Sequence, residues 1–156
     1  MPNFKYSITA LDKDRTAIAS GRDFKASPKN TREVCTVIKG MKLQQAKKFL
    51  EEVIRKKQAV PYKRHYKKVG HRKGLGSQFK WAQGRFPEKS ARLVYEVLSN
   101  AEANAEYKGL DVEKCRIIHS AVMNGRIIKR YIERAHGRST PYYDRLIHIE
   151  IVLYEE

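Results

Sequence analysis

Residues 112–156 read VEKCRIIHSAVMNGRIIKRYIERAHGRSTPYYDRLIHIEIVLYEE, and this stretch decides the fold. Its first part, 112–123, alternates with a period of two: Cys115, Ile117, His119, Ala121 and Met123 form one row, and Lys114, Arg116, Ile118, Ser120 and Val122 the other. Its last part, 145–154, places Ile147, Ile149, Ile151 and Leu153 on one face and Leu146, His148, Glu150, Val152 and Tyr154 on the opposite one. Period two marks a strand, so the two segments predict an antiparallel pair. A hairpin loop normally takes about two to five residues. Here roughly 20 residues intervene, and they either loop out or continue as strands. Alternation over 126–132 and the β-branched residues there favour continuation.

The predicted result is an extended arm over about 124–143, projecting roughly 30 Å at ~3.3 Å per residue. A two-stranded ribbon with no core beneath it is marginal in water and needs something to lie against. Arg126, Lys129, Arg130, Arg134 and Arg138 make that something a polyanion. The tip is expected near 129–138, and Gly137 suits a tight turn or a positive φ.

Upstream, residues 16–25 (TAIASGRDFK) read as a short strand whose Gly21 signals a bulge or a close backbone approach. Ser27-Pro28 is an N-cap followed by a first helical residue. A helix is expected from there to about residue 39, stopping at Gly40, with Val34, Val37, Ile38 and Met41 on its apolar face. A second helix, about 42–57, carries Leu43, Ala46, Leu50, Val53 and Ile54 at helical spacing. A third begins after Pro87 and runs to about residue 107. Its stripe is Ala91, Val94, Leu98, Ala101 and Ala105, and Gly109 is its stop. Asn100 and Asn104 lie one turn apart, and spacing leaves open whether they face solvent or RNA.

Residues 58–86 show no sustained periodicity. Pro61, Gly70, Gly74, Gly76 and Gly84 punctuate a run of Lys63, Arg64, Lys67, Lys68, Arg72, Lys73, Lys80 and Arg85. Tyr62, His65, Tyr66, His71, Phe79 and Trp81 are interleaved with them. A long loop in a small domain is normally functional or disordered. Cations among flat rings suit RNA, because cations meet phosphates and rings stack on unpaired bases. The plainer expectation for Phe79 and Trp81 is that they pin the loop to the core.

Charge supports the same partner. The chain has 33 Lys+Arg against 17 Asp+Glu in 156 residues, a net +16, with 41% hydrophobic and 32% charged residues. The apolar share suffices for a core, and one domain is expected over 1–156. The surplus is concentrated: 55–87 holds 11 basic and no acidic residues, and 124–138 holds 5 and 1. A charge pattern serving only solubility intersperses both signs. No apolar run reaches 18 residues, so no membrane span is expected, and the N-terminus shows no secretory signal. Cys35 and Cys115 have no metal-ligand spacing and read as small buried apolar groups in a reducing, cytoplasmic setting.

The sequence contains no Walker loop, GxGxxG, GxSxG or HExxH motif. His65 and His71 sit among cations that would repel a metal ion, and His119 alternates with apolar strand residues. No enzyme activity, metal or cofactor is expected. The function class is binding, driven by counterion release.

At this point the chain resembles the L-twenty-two family of large-subunit ribosomal proteins (L-seventeen in eukaryotic naming), in its archaeal/eukaryotic form. The resemblance covers nearly the whole chain. The strings that carry it are Lys29-Asn30-Thr31-Arg32-Glu33, Ile38-Lys39-Gly40-Met41, and Gln83-Gly84-Arg85-Phe86-Pro87-Glu88-Lys89-Ser90-Ala91. They continue with Asn100-Ala101-Glu102-Ala103-Asn104-Ala105-Glu106, Lys108-Gly109-Leu110-Asp111-Val112, Arg134-Ala135-His136-Gly137-Arg138 and His148-Ile149-Glu150, all in family order. The resemblance implies an α+β fold with helices packed on a small antiparallel sheet and one very long β-hairpin. With the elements above, that makes three helices on a three-stranded antiparallel sheet.

It further implies a structural protein of the large ribosomal subunit that binds large-subunit rRNA and contributes to subunit assembly. The globular part would sit near the outer end of the polypeptide exit tunnel and the hairpin along its wall. Implied partners are rRNA, neighbouring ribosomal proteins and the nascent polypeptide, in the cytoplasm. The rRNA-binding set carried onto this chain is Lys29, Arg32, Lys63, Arg64, Lys67, Lys68, Arg72, Lys73, Lys80, Arg85 and Lys89. The arm and tip set is Arg126, Lys129, Arg130, Tyr131, Arg134, His136, Gly137 and Arg138. Residues 58–86 look like an extension that bacterial members lack, and the absence of a long C-terminal tail points to an archaeal source. The alternatives are an RNA-processing or RNA-modifying factor, for which no cofactor loop or catalytic cluster is found, and a DNA-compacting protein. The latter would want major-groove helices or minor-groove arms, and the best basic segments here are not helical.

Overall fold

In a computed structural model, which describes residues 6–9 and 11–156, a three-stranded antiparallel sheet carries the helices on one face. Its strands are β1 (Thr16–Lys25), β4 (Cys115–Ile128) and β7 (Asp144–Glu155), in the order β1-β7-β4. The central position of β7 explains its apolar density. Ile147, Ile149, Ile151 and Leu153 are fully buried under the helices, and Val152 and Glu150 are fully buried on the other face.

The helices form where period and punctuation place them. Helix α1 (Pro28–Ile38) starts at Ser27, whose side chain accepts from Asn30 N, with Pro28 in the first turn. Helix α2 (Leu43–Ile54) buries Leu43, Ala46, Phe49, Leu50 and Val53. A five-residue helix α3 (Leu75–Phe79) follows two-residue strand β2 (Val60–Pro61) and precedes its partner β3 (Gly84–Arg85). Helix α4 (Glu88–Tyr107) lies across β1 and β7 and against α2, while α1 rests on β4 and α4. The expected stripe Ala91, Val94, Leu98, Ala101 and Ala105 is fully buried. Small side chains let α4 come close to the sheet. Thr31 Oγ1 donates to Ser90 Oγ at 3.0 Å, a buried polar link between α1 and α4. Asn100 is exposed, and Asn104 donates to the Ile18 carbonyl at 2.9 Å, tying α4 to β1.

Three details refine the sequence reading. The register of β1 against β7 shifts between Gly21 and Phe24, the bulge that Gly21 signalled. A Cβ on Gly21 would run into the Phe24 ring and lie 2.7 Å from Val97 Cγ2, so close backbone approach fixes this glycine. In β4 the register shifts between Ile117 and His119. The expected single row Cys115, Ile117, His119, Ala121 and Met123 is therefore split. The extra residue turns over the alternation, so Val122 packs on the core and His119 meets Ser7 across the other face. Finally, 58–86 is not the structureless loop its lack of periodicity suggested. It is closed by β2–β3 and an isolated bridge of His71 with Gln83, with α3 inside.

Beyond the core the hairpin continues. Strand β4 stays paired to β7 as far as Ile128 opposite Asp144. After an interruption kept in register by Tyr142 N donating to Arg130 O at 2.7 Å, β5 (Tyr131–Glu133) pairs with β6 (Ser139–Pro141). Every residue from 126 to 143 is exposed. Arg138 N donates to Ala135 O, and His136 and Gly137 have φ of 59° and 65°. Arg134 N donates to Arg138 O at 2.8 Å, so the register of β5 and β6 leaves a three-residue loop, Ala135, His136 and Gly137, of which the last two are left-handed. The tip is thus Ala135–His136–Gly137–Arg138, and Lys129 lies on the shaft instead.

Candidate nucleic-acid interface

All eleven cations of the expected rRNA-binding set are exposed: Lys29, Arg32, Lys63, Arg64, Lys67, Lys68, Arg72, Lys73, Lys80, Arg85 and Lys89. They do not form one patch but border several hollows. Lys29, Arg64, Lys67 and Arg85 share a cleft with Asn30, Tyr62 and His65. Lys29 and Lys89 edge a second hollow at the arm's base with Lys25, Tyr143, Asp144 and Arg145. Arg72 and Lys73 line a third beside Lys57 and Phe86. Arg32 lines a fourth between α1 and β4, with Thr36 and Lys39. Lys63, Lys68 and Lys80 line none of these.

The loop is held by groups that sequence reasoning did not select. Glu33, on α1 and only 2% exposed, accepts from Lys63 N at 3.1 Å through Oε2. Its Oε1 accepts from Arg64 N at 3.2 Å, His65 N at 2.9 Å and His65 Nδ1 at 2.9 Å. The one signal in the sequence is its place beside Thr31, Val34 and Cys35 on the buried face of the helix. Three further rings of the six in this segment are engaged within the protein. Phe79 meets Phe49 edge-on with centroids 6.2 Å apart, Trp81 donates Nε1–H to Tyr62 O at 2.8 Å, and Tyr62 itself is buried. Tyr66 keeps an exposed ring, set edge-on to Trp81 at 5.7 Å. Phe79 does pin the segment to the core, the plainer of the two expectations, whereas Trp81 ties the segment to itself through Tyr62 and Tyr66. The Cys35 thiol is pushed up to about 12 by burial, consistent with a buried apolar role.

On the arm, Arg126, Lys129, Arg130, Tyr131, Arg134, His136, Gly137 and Arg138 are all exposed. Arg126 pairs with Asp23 at 3.5 Å, and Arg130 Nε lies 3.6 Å from Asp144 Oδ2. Lys25 Nζ holds the same oxygen at 2.7 Å. Its hydrogen bond, aided by Arg130, keeps the Asp144 carboxyl below the usual carboxylate range. Tyr131 and Tyr143 face across the shaft, edge-on at 6.0 Å with their hydroxyls 3.2 Å apart. Ile127, Ile128, Ile132 and Tyr142 add exposed apolar surface. Cations mixed with flat or branched apolar groups can neutralise phosphates and lie against bases at once.

Among the described residues no group of three or more His, Cys, Asp or Glu gathers as a metal site. Nor is any helix long and apolar enough to cross a membrane. His65 is engaged with Glu33, and His119 Nε2 lies 3.0 Å from Ser7 Oγ.

A family model described as Ribosomal protein L22p/L17e matches residues 19–154. Three similar proteins, each titled large ribosomal subunit protein uL22, come from archaea. That of Methanopyrus kandleri is 50% identical over 99% of this chain and 99% of its own. That of Methanocaldococcus jannaschii is 48% identical over 99% and 97%. That of Archaeoglobus fulgidus is 46% identical over 97% and 96%.

Proposed function

From the premise that the chain belongs to the ribosomal protein L22p/L17e family and is a structural, non-enzymatic constituent of the large ribosomal subunit, we propose that large-subunit rRNA is its principal partner. The globular part binds rRNA through the cations around 58–86 and α1, near the outer end of the polypeptide exit tunnel. The hairpin runs along the tunnel wall, between rRNA and the nascent polypeptide, and neighbouring ribosomal proteins complete its surroundings.

The observation that carries this reading is the arm. Residues 126–143 are exposed without exception, yet they include Ile127, Ile128, Tyr131, Ile132, Tyr142 and Tyr143. A ribbon that leaves such side chains in water gains little by folding alone. Its five Lys and Arg against one Glu supply the charge an RNA wall neutralises.

Cofractionation tests the reading. Large subunits washed at high salt should retain the chain at one copy each, and crosslinks from the arm should land on rRNA. Loss of the chain in the wash would instead identify a transient factor acting on rRNA.

A further inference from the structure

The cleft over Tyr62 is more specific than a general cationic surface. Four cations reach it from three places: Lys29 from the first turn of α1, Arg64 and Lys67 from the loop after β2, and Arg85 from β3. No carboxylate lines it. Lys29, Arg64 and Lys67 make no ion pair or side-chain hydrogen bond among the described residues. Arg85 is fixed, with Nη2 donating to Lys68 O at 3.2 Å and Cζ 5.9 Å from the Tyr62 ring centroid. Tyr62 is 2% exposed, and its hydroxyl is buried with no hydrogen-bond partner. A buried hydroxyl left unpaired is costly unless something supplies an acceptor.

Like charges gathered in one hollow repel, so something must hold the loop that carries them. Glu33 does this from below, its carboxylate taking three consecutive backbone N–H groups and one ring N–H. Those bonds fix the curl from which Arg64 and Lys67 enter the cleft. They engage both oxygens of the carboxylate, three bonds on Oε1 and one on Oε2, and Glu33 is not among the residues that line the cleft.

We propose that this cleft seats a single phosphate of an RNA backbone, ligated by Lys29, Arg64, Lys67 and Arg85 in the hollow that Tyr62 helps to line, with Glu33 as the positioning residue. The inference rests on the RNA-binding reading and assigns one phosphate to one place. Burial pushes the Tyr62 hydroxyl up to about 12, so it stays protonated and able to donate at neutral pH.

Two measurements on the full chain test it. In the first, inorganic phosphate is titrated into the free protein and followed by amide and arginine side-chain NMR. Saturable shifts are expected at 62–67, Lys29 and Arg85, and R64A/K67A should abolish them while leaving the rest of the spectrum in place. Shifts spread over all basic residues without saturation would overturn the proposal, and this measurement needs no RNA. In the second, affinity for large-subunit rRNA is measured against salt. Each phosphate that the protein no longer neutralises lowers the slope of log K on log salt by about 0.7–0.9. Because the four cations serve one phosphate, K29A/R64A/K67A/R85A should lower it by that single step in all. A fall of three or four steps in that variant would mean independent surface cations. E33Q, which removes no cation, should reproduce that one-step loss, whereas a wild-type slope would remove Glu33 from the site. Should E33Q fail to fold, the two exposed-residue variants decide alone. If rRNA binding is absent altogether while phosphate still saturates the cleft, the broader reading fails and the anion seat stands.

Discussion

Glu33 Oε1 lies 2.9 Å from His65 Nδ1 and 2.9 Å from His65 N, so one oxygen of a buried helix carboxylate holds both ring and backbone of a loop residue 32 positions away. It is the carboxylate that the basic segment lacks in its own sequence. Replacing it by alanine leaves four N–H donors to find water or go unpaired. E33A should therefore lower stability by about 1–3 kcal/mol, read as a fall in the urea midpoint at unchanged m-value. Hydrogen exchange at 63–65 should accelerate more than in α4. Equal acceleration everywhere would mean that Glu33 supports the whole core and not the loop.

The arm carries little of the fold, because 126–143 are exposed. Tyr142 N donates to Arg130 O, so those two residues already form a pair that a two-residue turn can close. Replacing 131–141 by Asn-Gly should change stability by within about 0.5 kcal/mol, or roughly 1–2 °C in Tm. A cooperative loss of structure on this truncation would contradict an arm that stands clear of the body.

How much of this was legible follows from range. The strand at Thr16–Lys25, the start of α1 at Ser27-Pro28 and the buried stripe of α4 were readable because local period and punctuation determine them. The order within 58–86 was not, because distant partners impose it. Glu33 holds Lys63–His65, Phe49 receives Phe79, and strands of two residues carry no period. The split row in β4 has the same character, since alternation cannot show where a bulge reverses it. At the interface, the cations of 58–86 were visible as a charge run. Their division among hollows, and the additions of Lys25, Lys39 and Arg145 from elsewhere in the chain, exist only in three dimensions.

The arm's arginines should act through phosphates. Arg130, Arg134 and Arg138 sit on an exposed ribbon, and Arg134 is oriented by Thr140 Oγ1 at 3.2 Å. Changing all three to alanine should lower the salt slope of rRNA binding by roughly 2–3, with the melting temperature unchanged. An unchanged slope would mean that the arm touches no phosphates and that its apolar side chains make its contacts.

Gly21 offers a test inside the sheet. A methyl group there collides with the Phe24 ring and approaches Val97 of α4. G21A should cost about 1–3 kcal/mol by overpacking, and G21A combined with Phe24→Leu should recover part of it by freeing the ring's space. A neutral G21A would show that β1 and α4 can separate at no cost, against the close approach that the small stripe of α4 permits.

Acid should loosen the root of the arm before it unfolds the body. Asp144 Oδ2 is shared by Lys25 at 2.7 Å and Arg130 at 3.6 Å, one cation from β1 and one from the shaft. The Lys25 hydrogen bond depresses the carboxyl below its ordinary value of 3.8. A depressed carboxyl contributes its clasp fully above the unfolded value and loses it as the pH falls through the folded one. The link should thus be intact at neutral pH and at pH 5, and released only well into the acid range. NMR titration of the Asp144 carboxyl carbon, with the Arg130 side-chain resonance followed in parallel, reads this directly. The two should move together below about pH 4, and in D144N the Arg130 signal should be flat over that range. An Arg130 response persisting in D144N would place its partner elsewhere on the arm.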